Sequence, residues 1–232
     1  MQITTMSSKG GVGKTTITTE LAFWLDRQAA RDPEHAADYR YQLADLDGQG
    51  GLVHQAGPVD RARITLVDMP GETGDDDPEI ARDSDVIVLP MINSGFDRPS
   101  TERTLSAIAR SGSKALVILV LNHWRSRTTR DRQFASAGMR DWLNGLRKAG
   151  SLPKVEAVHL LPDSALFEAI SDTHLSVVRQ DPRSSAAVAT EALCSSVYAA
   201  ALAGGKPAKY RTWLHDSDVL TSPWMLAVRG GR

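Results

Sequence analysis

The sequence predicts a mostly parallel, doubly wound α/β sheet flanked by helices, and three observations lead there. Short β-rich runs alternate with longer helical stretches along the chain. Several of these runs are almost continuously apolar, the pattern of strands covered on both faces. Between the first run and the first long helical stretch lies "SSKGGVGKTT" (7–16), a glycine-rich turn ending in Lys-Thr. Open α/β sheets bind ligands at such strand-to-helix turns.

Taken in order, the expected strands are "QITTM" (2–6), "YRYQLAD" (39–45), "RITLVDM" (63–69), "DVIVLPM" (85–91), "KALVILVLN" (114–122) and "VEAVHLL" (155–161). Residues 15–30 set Ile17, Leu21, Trp24, Leu25 and Gln28 at helical spacing, a largely apolar stripe. In "PSTERTLSAIARSG" (99–112), Ser100 reads as an N-cap with Glu102 in the first turn, and Gly112 reads as the stop. Residues 130–149 and 184–203 also read as helices. Neither an internal repeat nor a Gly/Ser linker divides the chain, so one domain over 1–203 is expected, with 204–232 as its C-terminal extension.

Composition narrows the function classes. The chain has 232 residues, 41% hydrophobic and 24% charged, with a net charge of −1. No global field draws such a protein to nucleic acid or anionic lipid, so any such contact needs a local patch. Cys194 is the single cysteine, which excludes an internal disulfide or a multi-cysteine metal site within one chain; in its alanine-rich context it reads as a small core residue. The start "MQITTMSSKG" lacks the order of a secretion signal, and the longest apolar run, "ALVILVL" (115–121), is too short to cross a bilayer. A soluble, cytoplasmic protein is expected.

The chemistry concentrates in the glycine-rich turn. Gly10, Gly11 and Gly13, with Val12 among them, let the backbone curl so that successive N–H groups face a phosphate. A helix beginning near Thr15 and Thr16 adds its positive end. In the general pattern G-x-x-x-x-G-K-[ST], the lysine pairs with the β- and γ-phosphates and the hydroxyl holds Mg²⁺, which assigns Lys14 and Thr15. Two positions depart from that pattern: Ser8 replaces its first glycine, and Lys9 adds a charge where none is required.

With those departures, "KGGVGKTT" resembles the deviant Walker A motif of the ParA/MinD family of dimeric ATPases. The resemblance implies that Lys9 reaches across a dimer interface to the phosphates of the partner's ATP. A cation supplied in trans offsets the charge that builds during phosphoryl transfer. "LADLDGQGG" (43–51) resembles the family's D-x-D-P-Q segment, with Gly48 in place of proline; this implies that Asp45 orients the attacking water. "ITLVDMPG" (64–71) resembles the Walker B strand, where Asp68 would hold the Mg²⁺ shell. Asn122, which ends "VILVLN", matches an asparagine that contacts the purine base, and "LLPDSALFEAI" (160–170) resembles the segment beside that base. The catalytic set is therefore Lys9, Lys14 and Asp45. The resemblance covers residues 1–203, with a longer first helix-to-strand connection, "ARDPEHAAD" (30–38), than the family's and a short stretch between Asp47 and Asp68.

The family divides by its attachments. The loop starts at residue 7, so no operator-binding domain is expected ahead of it. The tail "DVLTSPWMLAVRGGR" contains Pro223 and only two arginines, unlike a basic membrane-docking helix, so no stable membrane association is expected. A small, ParF-like partition ATPase remains, which implies an ATP-bound homodimer, non-specific DNA binding and a centromere-binding adaptor protein. Arginines cluster in "HWRSRTTRDR" (123–132); the DNA contacts expected from the family's C-terminal bias are Arg179, Arg183, Lys206, Lys209 and Arg211. An accessory ATPase for conjugative transfer, a MinD-like membrane ATPase and a dethiobiotin-synthetase-like ligase stay open as alternatives. The acidic run 75–77 reads as a solvated loop or helix start.

Overall fold

The computed structural model describes residues 1–47, 62–71, 77–92, 97–125, 129–150, 152–204 and 225–226. Strands β1 (Gln2–Thr5), β2 (Tyr41–Asp45), β3 (Ile64–Asp68), β4 (Val86–Ile92), β5 (Leu116–Trp124) and β6 (Val155–Pro162) pair in parallel, in the order β2-β3-β1-β4-β5-β6. A short antiparallel edge strand, β7 (Met225–Leu226), closes the sheet on β6. This is a parallel α/β sheet of the doubly wound kind, and each expected strand falls within two residues of its place. β1, the first strand in the chain, is central in the sheet, so the loop that follows it opens where the winding reverses direction.

The strands are apolar on both faces because both are covered. Val86, Val88, Leu116, Ile118 and Val120 belong to one core, while Ile87, Leu89, Val117, Leu119 and Leu121 belong to the other. The first core contains α1 (Lys14–Arg31) and α8 (Ser185–Ala203), joined by the Trp24, Tyr39 and Tyr198 rings, whose centroids lie 5.3–6.4 Å apart. The second contains α2 (Asp77–Asp83), α3 (Asp97–Arg110) and α4 (Thr129–Lys148). The long connection after α1 is a 3₁₀ helix, Pro33–Tyr39, which packs back onto α1. By length and composition α8 could cross a membrane, but 61% of its apolar window is buried inside the protein. It is a core helix, and Cys194 sits within it, its thiol pushed well up by burial.

Two expectations are corrected. Ser100 is not an N-cap: α3 begins at Asp97, and Ser100 is a buried residue of its first turn. Pro99 is tolerated there because first-turn N–H groups have no helical partner. Glu102 instead accepts a hydrogen bond from Trp142 Nε1 at 2.6 Å, linking α3 to α4. Three short helices, α5 (Ala165–Glu168), α6 (Ile170–Thr173) and α7 (Val177–Gln180), occupy a stretch that the sequence reads only by resemblance. They are too short for periodicity to reveal.

Glu20 fastens α7 to α1. It is 2% exposed, and its Oε1 accepts the Val177 N–H at 2.8 Å while Oε2 is buried without a partner. Burial pushes its carboxyl from 4.5 up to about 7. The folded chain therefore holds this proton more tightly than the unfolded one, so stability falls as pH rises from 4.5 to 7. Glu20→Gln, which mimics the protonated form, is expected to stabilise by about 1–3 kcal/mol at pH 8 and to change little at pH 5. Thermal unfolding at the two pH values checks this; an unchanged Tm at pH 8 contradicts it.

Candidate functional site: a phosphate cradle at the head of the first helix

The turn between β1 and α1 ends at Gly13, which caps the helix at φ 94°. No side chain caps α1 there, and its first turn holds no acidic residue. The orphan N–H groups and the positive helix end are left for an anion. Glycine is required at position 13 twice over: its φ lies in the left-handed region, and a Cβ would come 2.3 Å from Asn122 Nδ2.

Asn122 braces the loop from below. Its Nδ2 donates to the Val12 carbonyl at 2.9 Å, and its Oδ1 accepts the His123 N–H at 2.9 Å. From the other side Gly71, just after β3, closes on the loop. A Cβ there would lie 3.0 Å from Gly10 Cα and 3.6 Å from Lys14 Nζ.

Ser8 is tied to α3. Its N–H donates to Thr104 Oγ1 at 3.2 Å, and its hydroxyl lies 2.7 Å from Ser100 Oγ. The residue that replaces the general pattern's first glycine thus anchors the loop to a helix some ninety positions away.

Lys14 is 5% exposed, and its Nζ donates to the Lys9 carbonyl at a long 3.4 Å. Burial lowers its pKa, partly offset by the Asp68 and Asp47 carboxylates. A desolvated ammonium with one weak bond gains strongly from phosphate oxygens.

Asp68, 1% exposed, accepts the Thr15 hydroxyl at 2.7 Å, and the Thr18 hydroxyl lies 3.4 Å from its other oxygen. Burial pushes its carboxyl up to about 6, with the Thr15 bond acting the other way. A carboxylate and a hydroxyl in contact, in a site that disfavours an uncompensated negative charge, fit a hard divalent cation that keeps several waters. Among the described residues, no group of three or more His, Cys, Asp or Glu could hold a metal by itself. The remaining ligands would then be water and substrate phosphate.

These groups border a cavity of about 760 Å³. Gly10, Gly11, Gly13, Lys14, Thr15, Thr16 and Asn122 line it. Val12 is buried beneath and contributes its carbonyl to Asn122. Lys9 is half-buried and is not among the lining residues.

Asp45 ends β2 directly opposite Asp68, but it is exposed and accepts the Asp47 N–H at 3.1 Å. Asp47, not Asp45, lines the cavity. Gly48 and Gln49 lie outside the described residues, as do Lys206, Lys209, Arg211 and the side chains of Arg127, Arg130 and Arg132. Arg125 is paired with Asp163 at 2.6 Å, while Arg179 and Arg183 are exposed.

The sequence does not single out Gly71, His123 or Ser171, and it takes Asp47 only as a companion of Asp45; Ser164, Phe167 and Glu168, which also line the cavity, fall within 160–170, the segment expected beside the base. "MPG" after Asp68 was a usable signal for Gly71. His123 carried none: its φ of 52° appears only in the folded backbone.

Residues 3–166 match the family described as the CobQ/CobB/MinD/ParA nucleotide binding domain. The chain belongs to this family. Its members' fold recurs among solved structures. MinD of Pyrococcus horikoshii, complexed with Mg-ADP, superposes with a TM-score of 0.58 at 17% identity, covering 84% of this chain and 95% of that one. Apo McdA of Cyanothece gives 0.61 at 12% identity, over 85% and 98%. Cobyrinic acid a,c-diamide synthase of Mycobacterium smegmatis, with ADP and magnesium, gives 0.54 at 15%, over 89% and 95%. No curated protein sequence matches. As a CobQ/CobB/MinD/ParA nucleotide-binding domain, the chain is a phosphate-loop protein, and the cradle around Lys14 is where the family assignment and the geometry coincide.

Proposed function

We propose that the chain is an ATP-hydrolysing switch that dimerises on ATP, binds DNA non-specifically and partitions or positions plasmid or chromosomal DNA in the manner of small partition ATPases. ATP and Mg²⁺ are its cofactors, and MinD and the diamide synthase, both similar in fold, bind ADP with Mg or magnesium. Lys14 and the loop N–H groups hold the β- and γ-phosphates, and Thr15 and Asp68 hold Mg²⁺, which would neutralise phosphate charge. Asp45 orients the attacking water.

The observation that carries the switch reading is the placement of Lys9. It follows the loop's anchored residue, Ser8, yet does not line the cavity of its own chain. In the proposed dimer Lys9 serves the nucleotide held by a second copy rather than the one in its own cavity. Exposed Arg179 and Arg183 support the DNA part. In this reading the protein is cytoplasmic, associates with the nucleoid when ATP-bound, and is stimulated by a centromere-bound adaptor.

Sedimentation with ATP or ADP, with and without a non-specific duplex, tests the reading. The expected result is a monomer with ADP, a dimer with ATP, and co-sedimentation of duplex with the dimer alone. A monomer under every condition refutes the switch; a dimer that ignores duplex removes DNA as cargo. In the same run Asp45→Ala should give a dimer that outlasts the parent's, and decay at the parent's rate would move the water-orienting role to Asp47.

A further inference from the structure

A second cleft of about 500 Å³ lies along the C-terminal half of α1. One wall is Phe23, Arg27 and Arg31 of α1; the other is His174, Ser176 and Arg179, at and before α7. Its floor is rigid. The Arg27 side chain is 13% exposed, donates to Glu191 Oε2 at 2.7 Å and to Ser176 Oγ at 3.2 Å, and has its Nε buried without a partner. The Glu20–Val177 bond fixes the same two walls against each other. Arg31 and Arg179 stand exposed at the rim. His174 adds a polar ring on a left-handed backbone, φ 53°. Among the described residues the carboxylates around it are Glu20, which acts on Arg27 from the buried side, Glu191, which also lies 3.5 Å from Arg31, and Asp26, which accepts the Tyr41 hydroxyl at 3.2 Å. Arg27 is balanced from behind by Glu191 and Glu20, so the positive charge that this concave site offers comes from Arg31 and Arg179 at its rim, beside the aromatic wall of Phe23.

We propose that this cleft binds a small organic anion, a phosphate or carboxylate carried on a compact apolar body, through the guanidinium groups of Arg27, Arg31 and Arg179. Its volume suits a small molecule. A planar, always-charged guanidinium matches phosphate and carboxylate oxygens two at a time, and Phe23 supplies apolar surface for the body. A duplex fits less well, because the least exposed cation sits behind the rim, while a DNA backbone favours cations spread over an open surface.

The cleft shares its walls with the nucleotide cavity: the N-terminal turn of α1 and residues 164–171 line the first, and the continuations of both line the second. The test therefore uses protein saturated with Mg·ADP, so that the phosphate loop is filled. Phenyl phosphate is then titrated at constant ionic strength and followed by calorimetry. Saturable binding of one equivalent is expected, weakened about tenfold or more by Arg31→Ala and by Arg179→Ala, as for loss of a hydrogen bond to a charged group. Both residues are exposed, so the fold, checked by Tm, should persist; ADP affinity of Arg31→Ala should equal the parent's. Inorganic phosphate should bind more weakly than phenyl phosphate, and equal affinity would overturn the apolar part of the assignment. Absence of saturable binding, or binding that both variants retain, would overturn the site. So would a duplex that the ATP-bound parent retains and both variants lose while phenyl phosphate binds to none; the cleft would then be a nucleic-acid contact. Failure of the parent to bind ADP would instead count against the nucleotide-switch reading, and it is seen before phenyl phosphate is added.

Discussion

Lys14→Ala is expected to lower ATP affinity by about a hundredfold or more, leaving the fold in place. The Lys14 ammonium is 5% exposed and, among the described residues, holds one long bond, 3.4 Å, to the Lys9 carbonyl. Desolvation has lowered its pKa, so the ion is already costly to keep charged. Phosphate oxygens remove that cost and add charge-assisted hydrogen bonds. Alanine removes both gains and leaves the negative phosphates facing Asp47 and Asp68 with less compensation. Equilibrium titration with a fluorescent ATP analogue measures the loss; tight binding by Lys14→Ala would refute the phosphate-cradle assignment. The same titration has a pH arm. Asp68 must release a proton held up to about pH 6 before it can accept a cation, so the Mg²⁺ dependence should weaken as pH falls below 6.

Lys9→Ala should separate binding from assembly. Because Lys9 does not line its own cavity, a monomer should still bind nucleotide close to normally. In a two-fold dimer each chain would supply one lysine to the other's ATP, so the substitution is felt twice. Removing both charge-assisted hydrogen bonds at once should weaken the ATP-bound dimer by about a hundredfold or more, and hydrolysis should fall with it. Analytical ultracentrifugation and phosphate release on the same samples report both effects. If Lys9→Ala dimerises and turns over like the parent, the trans-lysine role is wrong. If it loses monomer binding as well, Lys9 serves its own loop, and the long bond from Lys14 Nζ to the Lys9 carbonyl becomes the feature to pursue.

Most of the architecture was legible because its signals are local. Continuous apolar runs such as "ALVILVL" identify strands covered on both faces, and the two cores divide that run residue by residue. The loop was legible for the same reason: strand, glycines, Lys-Thr and helix are consecutive, and Gly10, Gly11, Gly13, Lys14, Thr15 and Thr16 line the cavity. The start of α3 was not legible because Ser100 has the composition of a cap, and only the fold shows its hydroxyl occupied by Ser8. Nor was Asp47, because sequence cannot tell which of two aspartates at the end of a strand turns inward.

The sequence by itself determined the α/β class and the phosphate loop, since each follows from the order and spacing of neighbours; Asp68 entered only through the resemblance of "ITLVDMPG" to a Walker B strand, and its contact with Thr15, 53 positions away, belongs to the fold. Tertiary structure alone decided that Asn122 braces Val12, that Gly71 closes on Gly10, that Ser8 is held by α3, and that Arg27 and Arg179 share a cleft. The reason is topological. Strand order β2-β3-β1-β4-β5-β6 brings β3, β4 and β5 to the loop that follows β1, so residues dozens to more than a hundred positions apart meet there. No periodicity within a single segment encodes such a meeting.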